Sequence, residues 1–126
     1  MAIKSHRDLI VWQKAMALAA AAYRLTKTFP VDERYRMTGQ LLRAAASIPA
    51  NIAEGHARGT RKDYARFIAI ARGSLAETDT FLQLASDVGI ATAAECATAL
   101  ALVDEVGRML NTLHMRLRQP ESDHDQ

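Results

Sequence analysis

The chain has 126 residues, a length for one compact domain and not for a multidomain enzyme. Its residues are 49% hydrophobic, 24% charged and 6% aromatic, the balance of an ordinary globule rather than of a disordered segment. The formal net charge of +2 hides an asymmetry: residues 1–72 carry thirteen Lys or Arg against five Asp or Glu, and residues 73–126 carry three against nine.

The first helical segment is predicted from Asp8 to Phe29. Leu9, Trp12, Met16, Ala19 and Tyr23 step by three and four, and Val11, Ala15, Leu18, Ala22, Leu25 and Phe29 form a neighbouring stripe, so this helix is expected to pack on two sides. Asp8 is placed as its cap or first-turn acid, and Pro30 ends it by driving the preceding residue out of the α region. The alanine run from Ala15 to Ala22 lies between Lys14 and Arg24, well short of the roughly 18 apolar residues of a membrane span.

The second segment is predicted from Asp32 to Gly55, with Met37, Leu41, Ala44, Ile48 and Ile52 on one face. Pro49 inside it removes one backbone hydrogen bond, which predicts a kink near Ala45. Gly55, with the residues to Gly59, is expected to end the helix. Thr60 is placed to cap a third segment that runs to about Val88, its stripe being Tyr64, Phe67, Ala71, Leu75, Thr78, Leu82 and Ala85. Gly89 stops it. Thr92 caps a fourth segment, in which Ala93, Ala97, Leu100, Val103, Leu110, Leu113 and Leu117 face inward as far as Pro120. These readings give an all-α chain, an up-down-up-down antiparallel four-helix bundle over residues 1–120, followed by a disordered polar tail at 121–126.

Twenty-four alanines bring helices close but bury little area each, so self-association is an expected source of further burial. Cys96, the single cysteine, has no internal disulfide partner, and no basic-then-apolar leader opens the chain; the expected compartment is the cytoplasm.

On the second segment Gln40, Arg43, Ser47, Asn51 and Glu54 form a polar line beside the apolar one, and the third segment answers with Arg66, Gly73, Ser74 and Glu77. A hairpin turning near Ala57 sets Arg43 level with Glu77 and Glu54 level with Arg66. These are expected to be buried or interfacial ion pairs that fix helix register, the alternative being a binding or catalytic site.

The strings Val11-Trp12-Gln13-Lys14-Ala15, Phe29-Pro30, Gln40-Leu41-Leu42-Arg43-Ala44-Ala45, Ser47-Ile48-Pro49-Ala50-Asn51-Ile52-Ala53-Glu54-Gly55 and Gly73-Ser74-Leu75-Ala76-Glu77 closely resemble a bacterial four-helix-bundle family. Its members are often called rRNA intervening-sequence proteins, because some are encoded inside insertions in large-subunit ribosomal RNA genes. The resemblance covers Asp8 to Gly89; beyond Gly89 only the helical pattern matches. It implies an antiparallel four-helix protomer and a ring-shaped homopentamer. The chain is also similar to the accessory variability proteins of diversity-generating retroelements, pentamers with a basic surface that work with a reverse transcriptase and RNA.

No catalytic constellation emerges. His6, His56, His114 and His124 show no paired metal-ligand spacing, Cys96 has no activating base, and Gly55 and Gly59 lack the lysine of a phosphate loop. The chain is therefore expected to be no enzyme and to hold neither metal nor cofactor. The positive signal is basic: Arg58, Arg61, Lys62, Arg66 and Arg72 around the second turn and along the third helix, extended by Lys14, Arg24 and Lys27 on the first. Such residues neutralise phosphates without reading sequence. His56 and Tyr64 are candidates to stack on an unpaired base, although Tyr64 lies on the apolar stripe. Two readings follow: a nucleic-acid-binding accessory protein engaging structured RNA or an RNA–DNA hybrid, and a scaffold that recruits a partner such as a reverse transcriptase without affinity of its own for nucleic acid.

Overall fold

Alanine, leucine and other good helix formers, repeated at three-and-four spacing, build four α-helices: α1 Ile10–Thr26, α2 Gly39–Ala57, α3 Arg61–Asp87 and α4 Ala93–Arg118. The computed structural model describes residues 3–120, so the tail expected at 121–126 lies outside the described residues. Two caps act where the sequence puts them. The Thr60 hydroxyl accepts from the Asp63 N–H at 3.1 Å. Thr92 and Glu95 form a reciprocal capping box, hydroxyl to Glu95 N–H at 3.1 Å and carboxylate to Thr92 N–H at 2.8 Å. Gly59 and Gly89 adopt φ of +88° and +81°, a left-handed conformation that costs glycine least, and they reverse the chain at both tight turns.

Consecutive helices run antiparallel, α1 packing on α2 and α4, and α3 on the same two. The result is an up-down-up-down bundle. Its core is continuous from Val11, Ala15 and Leu18 through Leu41, Ile48 and Ile52 to Ile68, Leu82, Val106 and Leu110. Cys96 is buried in it, and burial, then the Glu95 carboxylate, pushes the thiol above its ordinary range.

Several boundaries differ from the periodicity for identifiable reasons. Asp8 does not cap α1; its carboxylate accepts from the N–H groups of Lys4 and Ser5 in a separate 3₁₀ turn, His6–Asp8. The helix ends at Thr26, where the hydroxyls of Thr26 and Thr28 donate to the Tyr23 and Leu25 carbonyls and so satisfy its last turn. The second segment is not one helix from Asp32. A 3₁₀ turn at Val31–Glu33 leads into a wide π-like turn at Arg34–Thr38, with Arg36 at φ −113°, ψ −107°. This detour turns Met37 into the core while Val31 and Tyr35 stay in solvent. Gly39 closes it, since a Cβ there would lie 3.1 Å from the Arg34 carbonyl oxygen.

Pro49 lies inside α2 without breaking it, and the non-helical backbone of this segment falls earlier, at Arg36. Ala45, Ile48 and Ile52 are fully buried, so packing holds the turn that proline weakens. Gly55 does not end α2 either. It lies inside the helix where α2 approaches α3 closely, and a Cβ there would fall 2.7 Å from the Phe67 Cβ.

One α1 stripe is covered by the fold throughout, the other only in part, at Ala19 and, half-buried, at Leu9 and Trp12. Val11, Ala15, Leu18, Ala22, Leu25 and Phe29 are all buried, whereas Met16 and Tyr23 on the other stripe are 45% and 52% exposed. With Trp12, Ala46, Pro49 and Ala50 they line an open apolar groove of about 440 Å³ between α1 and α2.

Candidate functional site

Because α3 and α4 are antiparallel, the start of one lies beside the end of the other. Arg61 donates through Nη2 to the Arg116 carbonyl, which caps the last turn of α4. Arg61, Lys62 and Ala65 then share a recess with Leu117, Arg118 and Gln119. Further along, Arg72 and Arg108 line one cleft of about 540 Å³ between the two helices. All three cations of the acidic half, Arg108, Arg116 and Arg118, therefore join the basic start of α3. A count of charge by halves conceals them; the antiparallel register of α3 and α4 is the signal that brings them in.

The predicted cations fare differently. Arg58 pairs with Glu54 at 3.3 Å and Arg66 meets Asp63 at 3.9 Å, while both guanidiniums lie over the Phe67 ring, at 5.0 and 4.7 Å from its centre. These pairs are exposed and contribute little stability, but each carboxylate offsets the charge of its guanidinium. Arg61 is committed to α4. Lys14 leaves the cluster, bound to Glu105 of α4 at 3.1 Å. Arg24 and Lys27 leave it entirely. Val11 lies against Tyr64 and Thr112 at the basic end, and Arg24 is thirteen residues further on, about 20 Å along the helix axis.

Arg72 is held differently from the others. Its Nε donates to the Asn111 Oδ1 at 2.9 Å, and its Nη1 lies 3.1 Å from the His114 Nδ1. Both partners are neutral acceptors, so the guanidinium is oriented while, among the described residues, no carboxylate pairs with it. His114 itself is pushed below the ordinary imidazole range, by partial burial first and then by Arg72 and Arg118.

The polar line on α2 works by hydrogen bonding rather than by ion pairs. The Ser47 and Ser74 hydroxyls bond across the α2–α3 seam. The Asn51 amide donates to the Ser47 carbonyl at 2.7 Å, and the Thr78 hydroxyl donates to the Ser74 carbonyl at 2.8 Å. Gln40, Arg43 and Glu77 line a shallow exposed groove beside this seam, but among the described residues no Arg43–Glu77 or Glu54–Arg66 ion pair forms within 4 Å. Small side chains at the seam, with Gly55 below it, draw the helices together and leave the longer charged ones outside. His56 packs edge-on against Tyr64 with ring centres 5.8 Å apart, and Tyr64 rests on the core with its hydroxyl pushed above the ordinary range by burial. That contact occupies the pair considered for base stacking.

Among the described residues no three His, Cys, Asp or Glu side chains gather closely enough to hold a metal ion. No described helix is long and apolar enough to cross a membrane.

The profile of a family described as 23S rRNA-intervening sequence protein matches residues 7–112. Among solved structures, the chain is similar to a crystal structure of a protein of unknown function from the S23 ribosomal protein family of Bacteroides thetaiotaomicron. The two are 26% identical, with a TM-score of 0.76 over 83% of this chain and 98% of that one. No curated protein matches it significantly.

Proposed function

This chain belongs to the 23S rRNA-intervening sequence protein family, and from that premise we propose that it is a non-catalytic, self-associating cytoplasmic protein that holds structured RNA, or an RNA–DNA hybrid, by its backbone phosphates. The observation that carries this reading is the line of Lys62 and Arg72 on α3 with Arg108, Arg116 and Arg118 on α4, running from the start of α3 to about its middle. Phosphate contacts of this kind give affinity without sequence readout. The open groove at Met16 and Tyr23 supports self-association, because an apolar α1–α2 face of this size gains from being covered. A homopentameric ring is the assembly proposed, and it would present the basic end five times.

A second reading has its own observation. Beside the basic end, Ile10 is exposed in an apolar recess with Met109 and Leu113, a surface suited to a protein partner such as a reverse transcriptase. The two readings separate in a fluorescence-anisotropy titration of nuclease-treated protein against a labelled RNA hairpin at several salt concentrations. The nucleic-acid reading predicts micromolar or tighter binding, with log K falling by about 0.7 to 0.9 per decade of salt for each phosphate contacted. Absence of binding at low salt overturns it in favour of the scaffold.

A further inference from the structure

Arginines that only stabilise a surface are ordinarily matched with carboxylates, as Arg58 and Arg66 are here. Arg72 is matched with an amide oxygen and an imidazole nitrogen. The His114 Nδ1 accepts from the guanidinium only when it carries no proton, so the neutral imidazole occupies the place of an anionic acceptor. Arg118 follows His114 by one turn of α4 and opens onto the recess that holds Lys62. The charged groups acting on the imidazole are thus Arg72 from α3 and Arg118 from α4, both cations. The carboxylates of the cleft that Arg72 and Asn111 also line, Asp79 and Asp104, lie seven residues from them along α3 and α4, about 10 Å along the axis. Among the described residues, an anion is what this corner lacks.

We propose that Arg72 and His114, flanked by Arg118 and steadied by Asn111, are the seat of one phosphate group of the bound nucleic-acid backbone. The seat rests on the nucleic-acid reading above and assigns it a residue, His114, that charge counting does not find. In the free protein the imidazole is neutral and accepts from Arg72. A phosphate oxygen entering between them takes over as acceptor for the guanidinium, whose two terminal nitrogens match its geometry. The imidazole then takes one proton from solution, turns from acceptor to donor, and binds the same phosphate. Its neighbours hold the proton off until the anion arrives, so phosphate binding and protonation favour each other.

The test is an NMR titration of the His114 imidazole between pH 5.5 and 8, with and without a saturating RNA hairpin, together with anisotropy titrations of the parent, His114→Gln and Arg72→Lys. The expected result is a His114 midpoint raised by about one unit on RNA binding, which corresponds to affinity up to tenfold tighter at the acid end. That pH dependence should vanish in His114→Gln, while Arg72→Lys, which keeps the charge but loses the fork, should weaken binding at every pH. The midpoint is read on the parent protein, so it needs no variant to fold. RNA binding with a normal salt slope but an unmoved His114 midpoint overturns the seat and leaves the general reading standing. No binding at any pH overturns both.

Discussion

Gly55→Ala isolates a close contact between α2 and α3. In a helix interior alanine is favoured over glycine by about 0.5 to 1 kcal/mol, so on propensity alone the change stabilises. Here the new Cβ would sit 2.7 Å from the Phe67 Cβ and 3.1 Å from the Tyr64 Cδ1. The first of these is anchored to the α3 backbone, so relief requires α2 and α3 to move apart, an overpacking cost of about 1 to 3 kcal/mol. The cost exceeds the gain, and the expected net loss is about 1 to 2 kcal/mol. Gly73→Ala is the internal control: its Cβ meets nothing within 4 Å, so the propensity gain of about 0.5 to 1 kcal/mol should survive. Urea unfolding followed by circular dichroism, at one fixed protein concentration, measures both. A Gly55→Ala protein as stable as the parent, or more so, refutes the close approach of α2 and α3.

Thr92→Ala should cost about 1 kcal/mol in the same assay, because it removes one half of the capping box that starts α4. Cys96 should react with iodoacetamide far more slowly than a free cysteine at pH 8, since its thiol is buried and its pKa raised; the rate should recover fully in denaturant. Tyr23→Glu, at a position exposed in the protomer, should lower the mass found by light scattering without loss of helix signal. An unchanged mass would remove the α1–α2 groove from the assembly.

Where residue type and spacing alone decide an outcome, the sequence was legible. The Thr60 and Thr92 caps, the Gly89 stop, the buried α1 stripe and the four-helix order depend on local chemistry and on periodicity. What stayed hidden depends on distance between helices. Gly55 reads as a helix terminator because glycine often is one, and only the position of Phe67 reveals it as a contact. Arg43 and Glu77 read as a pair because their levels match, yet the Ser47–Ser74 bond at the seam leaves them at its rim. Arg24 and Lys27 read as part of one basic surface because helix ends cannot be told apart in a list of cations. The same blindness hid Arg108, Arg116 and Arg118, which α4 carries back to the start of α3.

The location of the basic surface is tested by two charge reversals of equal size. Lys62→Glu with Arg108→Glu alters the α3–α4 end; Arg24→Glu with Lys27→Glu alters the far end of α1 by the same net charge. In anisotropy titrations against an RNA hairpin, the first pair should weaken binding at least tenfold and flatten the salt slope by about 1.4 to 1.8, the share of two phosphate contacts. The second pair should leave affinity within about twofold, as expected for charges beyond a Debye length from the site. Equal losses from both pairs, or a larger loss from the α1 pair, would contradict the account.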